Sequence, residues 1–528
     1  MPLLRPLAPC LLLASAPLSA QDLCQGNGVG GAYIEIGPAY IGGPFAHDVG
    51  SPNVPGGFVF FAVSDGFQLT STPFLGDVCL DTDSPGWVLF ILPTDASGNA
   101  SFSFDLPPDP ALASSPNFYS HAVTFENDQW SVSKTTALYF QNADSWAPTQ
   151  NLTVPRFQHT ATALYADGRD NESRIFVAGG SSTGSVTVPD SLASTEVYHP
   201  LDRSFTPGPD MAAPRAVHTA TRLQDGRVLI VGGMDEDGIC HRTCELFDPD
   251  AGTITPAADL SVERASHTAT LLLDGRVLVA GGLQDYQNPS ASSGFDAAMN
   301  TAMDTAELYD PATDTWAAAG AAMASTRAGH TATLLDDGTV LVVGGAFGAS
   351  GGSPDFTATV DRFDPATGLF VPEAPLTLAV GYQAASTLGN GDVLVTGGFL
   401  NSGGSATPTS LCYRWDGSAW ASAGNLATGV GWHSQVALPN GDALIVGGLN
   451  ASLLGANFVG RHDGTAYTAL TDIGLNPGLP GAATDGRGTS TLTPGYDGTY
   501  VLLGGVALDS IFAPGADGST GYVYTPAP

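Results

Sequence analysis

The sequence predicts an all-β protein, a ring of seven small sheets preceded by a β-sandwich, and three observations carry that prediction. Paired glycines recur seven times, ending at Gly180, Gly233, Gly282, Gly345, Gly398, Gly448 and Gly505, at intervals of 49 to 63 residues. Each pair closes a short apolar run, and six of these runs follow an Asp-Gly or Asn-Gly turn signal. Gly, Pro or Thr interrupts every window of helical periodicity, so no helix competes for these segments. Four antiparallel strands repeating at that period are the signature of propeller blades.

Within a unit the first strand is an alternating run, such as His267-Thr-Ala-Thr-Leu, which suits a half-buried strand. The pairs Asp225-Gly226, Asp274-Gly275, Asp337-Gly338, Asn390-Gly391, Asn440-Gly441 and Asp497-Gly498 come next. They adopt the positive φ angles of a tight hairpin with least strain. The second strand is a continuous apolar run, Val277-Leu-Val-Ala in the third unit, too short for a helix and therefore buried. Its glycine pair lets another backbone pass close, because no Cβ intervenes. The third strand reads Glu245-Leu-Phe-Asp-Pro, Glu307-Leu-Tyr-Asp-Pro or Asp361-Arg-Phe-Asp-Pro, and the fourth carries an aromatic, as at Trp316, Phe370, Trp420 and Tyr467. Long loops rich in Gly, Ser and Ala at 181–192, 284–303 and 346–356 separate second from third strands, where rigid scaffolds carry binding function.

The seventh unit has strands near 490–494, 499–505 and 521–524, and no fourth before Pro528. A matching turn and strand, Asn142-Ala-Asp-Ser-Trp146, lies upstream. Ser145–Pro148 is therefore expected beside 522–524, closing the ring without an open edge. The propeller then spans 142–528. Residues 21–141 lack the repeat, and their alternating segments among Gly, Pro, Asp and Ser turns predict a small antiparallel β-sandwich. Residues 1–20 read as a secretory signal cut after Ala20, with Arg5 ahead of an apolar stretch.

The repeat resembles the kelch motif, and more closely the variant in the central domain of galactose oxidase. That resemblance implies a seven-bladed kelch-type propeller. In that family copper is held by two tyrosines and two histidines, and one tyrosine is cross-linked to a cysteine. Gly381-Tyr382-Gln383 matches the segment of the cross-linked tyrosine, and Gly431-Trp432-His433-Ser434 matches the Tyr-His segment. Trp432 stands where the second tyrosine belongs, and Val177-Ala-Gly-Gly180 is followed by Ser and Thr with no cysteine. The family's last histidine comes from a domain after the propeller, whereas this sequence ends with the ring. Copper-radical oxidation is thus an alternative rather than the first expectation.

The net charge of −34, from 51 acidic against 17 basic residues, repels nucleic acid and anionic membranes. Neither is an expected partner, and no segment is long and apolar enough for membrane insertion. Five cysteines follow the signal. Cys24 with Cys79 and Cys240 with Cys244 are candidate disulfides, and Cys412 remains over. A metal site at Cys240, His241 and Cys244 lacks a second cysteine pair. Calcium has candidate oxygen ligands at Asp81/Asp83 and Asp235/Glu236/Asp237, although neither forms a full loop signature.

His218, His267, His330 and His433 each stand 15 residues before the second glycine of a pair, with His159 in a matching place. Arg156, Arg215, Arg264 and Arg327 precede four of them by three positions. A residue repeated in blade after blade is spread around the ring, so these side chains are expected to hydrogen-bond a neighbouring blade or loop. The expected protein is a secreted, acidic, monomeric, non-catalytic binder of an extracellular carbohydrate or protein. Tyr382, Trp432 and His433, in blades five and six, are the candidate binding residues. A galactose oxidase-like copper oxidase and a structural cell-surface component are the alternatives.

Overall fold

The structure is a computed structural model. It describes strands between residues 33 and 138, and residues 145–526 apart from 165–173, 183–189, 201–202, 285–298, 351–352, 403–404, 452–455, 457–458, 471–486, 489, 495–498, 505, 511–512 and 515–520. The chain divides into two compact units, Met1–Gln141 and Asn142–Pro528. The signal segment, Cys24, Cys79, Asp81 and Asp83 lie outside the described residues.

In the first unit one sheet orders Tyr33–Ile36, Pro44–Gly50 and Asn99–Asp105. A second orders Thr136–Leu138, Phe118–Glu126, Phe58–Ser64 and Val88–Pro93, with Gln129–Val132 folding back on Phe118–Glu126.

The second unit forms seven four-stranded antiparallel sheets. In blade two the order is Thr219–Arg222, Val228–Val231, Cys244–Asp248 and Thr253–Ala257, from the channel outward. The seventh sheet runs Thr491–Pro494, Tyr500–Leu503, Gly521–Thr525 and then Ser145–Pro148. Trp146 lies opposite Tyr524 with ring centroids 4.8 Å apart, so the expected closure is the observed one.

The second strand of each blade is apolar throughout because both its faces are buried. Val228 and Ile230 pack with Phe176 and Ala178 of blade one, while Leu229 and Val231 pack with Val277 and Val279 of blade three. Alternate residues thus serve opposite seams, which is why the run reads as continuous rather than alternating. Phe176 and Phe247 stack across the first of these seams at 4.0 Å.

Both glycines of a pair are sterically required. A Cβ at Gly232 would overlap the Arg264 carbonyl, and one at Gly233 would sit 2.7 Å from the His218 Cβ. Both residues also hold positive φ, 60° and 94°. The Asp-Gly turns differ from the expected tight pair. Only the glycine has positive φ (Gly226, 94°), and Gly226 donates to the Leu223 carbonyl while Leu223 donates to Arg227. That is a type I turn ended by a left-handed glycine, and the Asp225 Oδ1 accepts from the Arg227 N–H.

Two further expectations are corrected. Cys240 and Cys244 are both buried and no local disulfide joins them, because Cys240 bridges Met234 while Cys244 pairs with Val231. Segment 346–356 is no irregular loop but a hairpin, Ala346–Ser350 with Ser353–Phe356. A second hairpin, Phe399–Ser402 with Ser405–Pro408, rises from blade five, and Asn401 Nδ2 donates to Asp355 Oδ1 of the first at 3.2 Å.

Candidate functional site

Blades one to six make the same turn where the chain enters the innermost strand. Phe157, Ala216, Ala265, Ala328, Gly381 and Gly431 bridge the residue just after the glycine pair of their own blade. The following residue is left-handed in all six: Gln158 (φ 53°), Val217 (48°), Ser266 (54°), Gly329 (56°), Tyr382 (55°) and Trp432 (53°). Five of these are not glycine, and each costs roughly 1–3 kcal/mol of backbone strain. A chain of hydrogen bonds holds them there. Val217 N–H donates to the Gln158 carbonyl, Ser266 to Val217, Gly329 to Ser266, Tyr382 to Gly329 and Trp432 to Tyr382, over 2.7 to 3.2 Å. One residue from each of blades one to six thus joins a hydrogen-bonded rim at the channel mouth.

The aromatics of the rim sit in blades five and six. The Tyr382 ring lies where a Gly329 side chain would be, which explains the glycine there. Its hydroxyl donates to Met299 Sδ at 3.7 Å, from a short 3-10 turn in the loop of blade three. Tyr382 is 9% exposed, within a cluster of Met299, Leu283, Ala328, Phe356 and Phe399. Trp432 packs on Tyr382 at 4.7 Å and edge-on to Phe399 at 5.2 Å, and remains half-buried. The structure thus brings Tyr382 and Trp432 together, with Tyr382 as support beneath Trp432.

His433 follows Trp432 but turns into the seam between blades. Its Nε2 shares a hydrogen bond with Thr396 Oγ1 at 2.8 Å, and burial pushes its pKa down to about 4. The other four histidines bond a threonine on the first strand of the blade before, His159 with Thr491 (3.0 Å), His218 with Thr160 (3.0 Å), His267 with Thr219 (2.8 Å) and His330 with Thr268 (2.9 Å), whereas Thr396 ends a second strand. Every bond reaches the preceding blade, as the sequence led one to expect. The threonines were the missed partners. Their signal was present, because Thr160, Thr219 and Thr268 each directly follow a histidine of the series.

The arginine side chains meet the loop half of the expectation rather than the neighbouring-blade half, since they stay inside their own blade. Arg215 donates to the Gly232 and Thr243 carbonyls, to Thr243 Oγ1 and to Glu245 at 2.6 Å. Arg156–Glu196, Arg264–Glu307 and Arg327–Asp361 repeat the pair in blades one, three and four. The second carboxylate oxygen of Glu245 accepts from the Ala212 N–H, pinning the strand-to-strand crossover to the blade. What reaches the neighbour is the arginine backbone: the Gly233 N–H donates to the Arg264 carbonyl. The acid recurs in register with the arginine, a signal the sequence offered and the reading passed over.

The copper set implied by the resemblance does not fit these residues. The Tyr382 hydroxyl is engaged by Met299, Trp432 offers no ligand oxygen, and His433 Nε2 is engaged by Thr396. Among the described residues no three His, Cys, Asp or Glu side chains converge as a metal site. Asp235 Oδ1 accepts from the N–H groups of Asp237 and Ile239 and so caps its own turn. His241 Nε2 lies 3.2 Å from the Pro214 carbonyl, and burial pushes the Cys244 thiol up to about 12.

No family model matches the chain. A stretch of 110 residues is 26% identical to the galactose oxidase of Gibberella zeae, and it covers 20% of this chain and 15% of that enzyme. Among solved structures, a novel fungal alcohol oxidase with catalytic diversity among the AA5 family, in complex with copper, superposes with a TM-score of 0.55. It shares 16% identity, over 73% of this chain and 77% of that one. The structure of YjhT superposes at a TM-score of 0.46 with 15% identity, over 59% of this chain and 96% of its own. The fold is a galactose oxidase-like kelch propeller.

Proposed function

We propose that this galactose oxidase-like kelch propeller is a secreted, non-catalytic binding protein that takes an extracellular carbohydrate at the rim of its channel. The observation that carries the reading is Trp432, half-buried at the rim and clamped between Tyr382 and Phe399. Its left-handed backbone is fixed by the bond to the Tyr382 carbonyl. A ring held this way loses little freedom on binding and offers a flat apolar face to the C–H face of a sugar. The charge of −34 favours neutral over polyanionic glycans. A glycan array probed with wild type and Trp432→Ala tests this: neutral glycans are expected to bind, and the variant to lose them. Binding that survives the substitution overturns the site. A blank array together with a blank pull-down from extracellular proteins replaces it with a structural cell-surface role.

The 110-residue match to galactose oxidase favours a second reading, a copper oxidase. Copper loading followed by metal analysis and a peroxide assay on primary alcohols separates the two. Retained copper with peroxide release selects the oxidase.

A further inference from the structure

Five imidazoles occupy equivalent places in five of the seven seams between blades. Each is buried, 5 to 8% exposed. The ring of His218 rests on Gly179 of blade one, where a Cβ would lie 2.8 Å from its Cε1, and His267, His330, His433 and His159 rest likewise on Gly232, Gly281, Gly397 and Gly504. Nothing the size of water fits between imidazole and glycine, so an imidazolium there would go unhydrated.

Among the described residues, the charged and titratable groups facing the rings are cations or other imidazoles. Arg156 faces His159, and Arg264 faces His267. Arg215, His159 and His267 face His218, while Arg327 and His267 face His330. For His433 only burial acts. The neighbouring carboxylates, Glu196, Glu245, Glu307 and Asp361, are held by the arginines instead.

The remaining two seams carry no imidazole. Between blades four and five Gln383 Nε2 donates to the Val343 carbonyl at 2.6 Å, and between six and seven Ser434 Oγ donates to the Ser490 carbonyl at 2.6 Å. The fold therefore accepts glutamine at the histidine position.

We propose that the five histidines form an acid-released latch, which closes five seams of the ring when neutral and opens them when protonated. Each latch residue directly follows a residue of the rim, and at His218, His267, His330 and His433 an opening seam also breaks the rim bond beside it, whatever the rim binds.

The sign follows from the protonation states. The folded pKa values lie below the ordinary histidine value, at about 3 for His159 and His267 and about 4 for His433. The stability these sites contribute is complete above about pH 6.5 and is lost as pH falls below it. Each imidazole then shifts the unfolding equilibrium about tenfold per pH unit.

The test uses the mature full-length chain and the triple variant His218→Gln/His267→Gln/His330→Gln. Protons taken up on unfolding near pH 5 are measured from the pH slope of the unfolding free energy. The variant is expected to take up three fewer, making its slope about a thousandfold per pH unit shallower. His241 and His462, which burial also lowers, contribute equally to both proteins and cancel. Equal slopes overturn the proposal. Should the triple variant not fold, an NMR titration of the wild-type imidazole Cε1–H signals decides. Signals assigned to His159, His218, His267, His330 and His433 that stay unshifted from pH 7.5 to 5.5 support the latch, and any of these that titrate near pH 6.5 refute it.

Discussion

Replacing Arg327 by Met should be among the most damaging single changes in blade four, and replacing its partner as well should repair much of the loss. Arg327 and Asp361 pair at 2.5 Å with side chains 0% and 1% exposed. Arg327 also donates to the Gly344 and Thr359 carbonyls and to Thr359 Oγ1, and Asp361 Oδ1 accepts from the Ala324 N–H. Burial lowers the Arg327 pKa to about 10 against the attraction of Asp361, and desolvation raises that of Asp361. On both sides the loss of water outweighs the pairing. Arg327→Met strands a buried carboxylate and the Gly344 carbonyl, which costs about 3–5 kcal/mol. That is a large share of a typical total of about 5–15 kcal/mol. Blade five shows the alternative, with Val380 and Tyr413 at the corresponding places, both buried in one apolar cluster. Arg327→Val alone should cost as much as Arg327→Met, whereas Arg327→Val with Asp361→Tyr should lose only about 1–2 kcal/mol, so the second substitution recovers at least about 1 kcal/mol. Urea unfolding of the single and double variants measures it. Additive losses refute the argument that desolvation dominates this pair.

Three further outcomes follow from the same geometry. Trp146→Ala should destabilise the propeller by roughly 3 kcal/mol, because it removes the ring that packs on Tyr524 at the closure; a melting temperature unchanged by the substitution contradicts that role. Gly233→Ala should cost about 2–5 kcal/mol from positive φ plus overlap with His218, whereas Gly226→Ala, also at φ 94° but meeting only the Arg222 side chain at 3.6 Å, should cost only about 1 kcal/mol. Gln383→His should gain about 1 kcal/mol in denaturant titrations, because Thr331 Oγ1 is buried without a partner at the seam where glutamine replaces the latch residue.

Much of the site was legible in part. Tyr382 and Trp432 were visible as aromatics at matching places in successive blades, and their proximity follows from the ring. That Tyr382 lies beneath Met299 was not legible, since Met299 belongs to a loop 83 residues away whose path no local rule fixes. The histidines were visible as a series, but their neutral state depends on enclosure by the next blade. The hairpin at Phe399–Pro408 was missed because its small polar residues carry no strand pattern.

By itself the sequence determined the blade count and the closure of the ring. Both rest on short-range requirements, turn residues that accept positive φ and glycines that no side chain can replace, repeated until seven sheets must meet. Tertiary structure decided what the repeated side chains do. A seam forms between residues some 50 positions apart, and only there does burial convert a histidine into a neutral latch, an arginine into an internal clasp and a tryptophan into a clamped surface at the mouth.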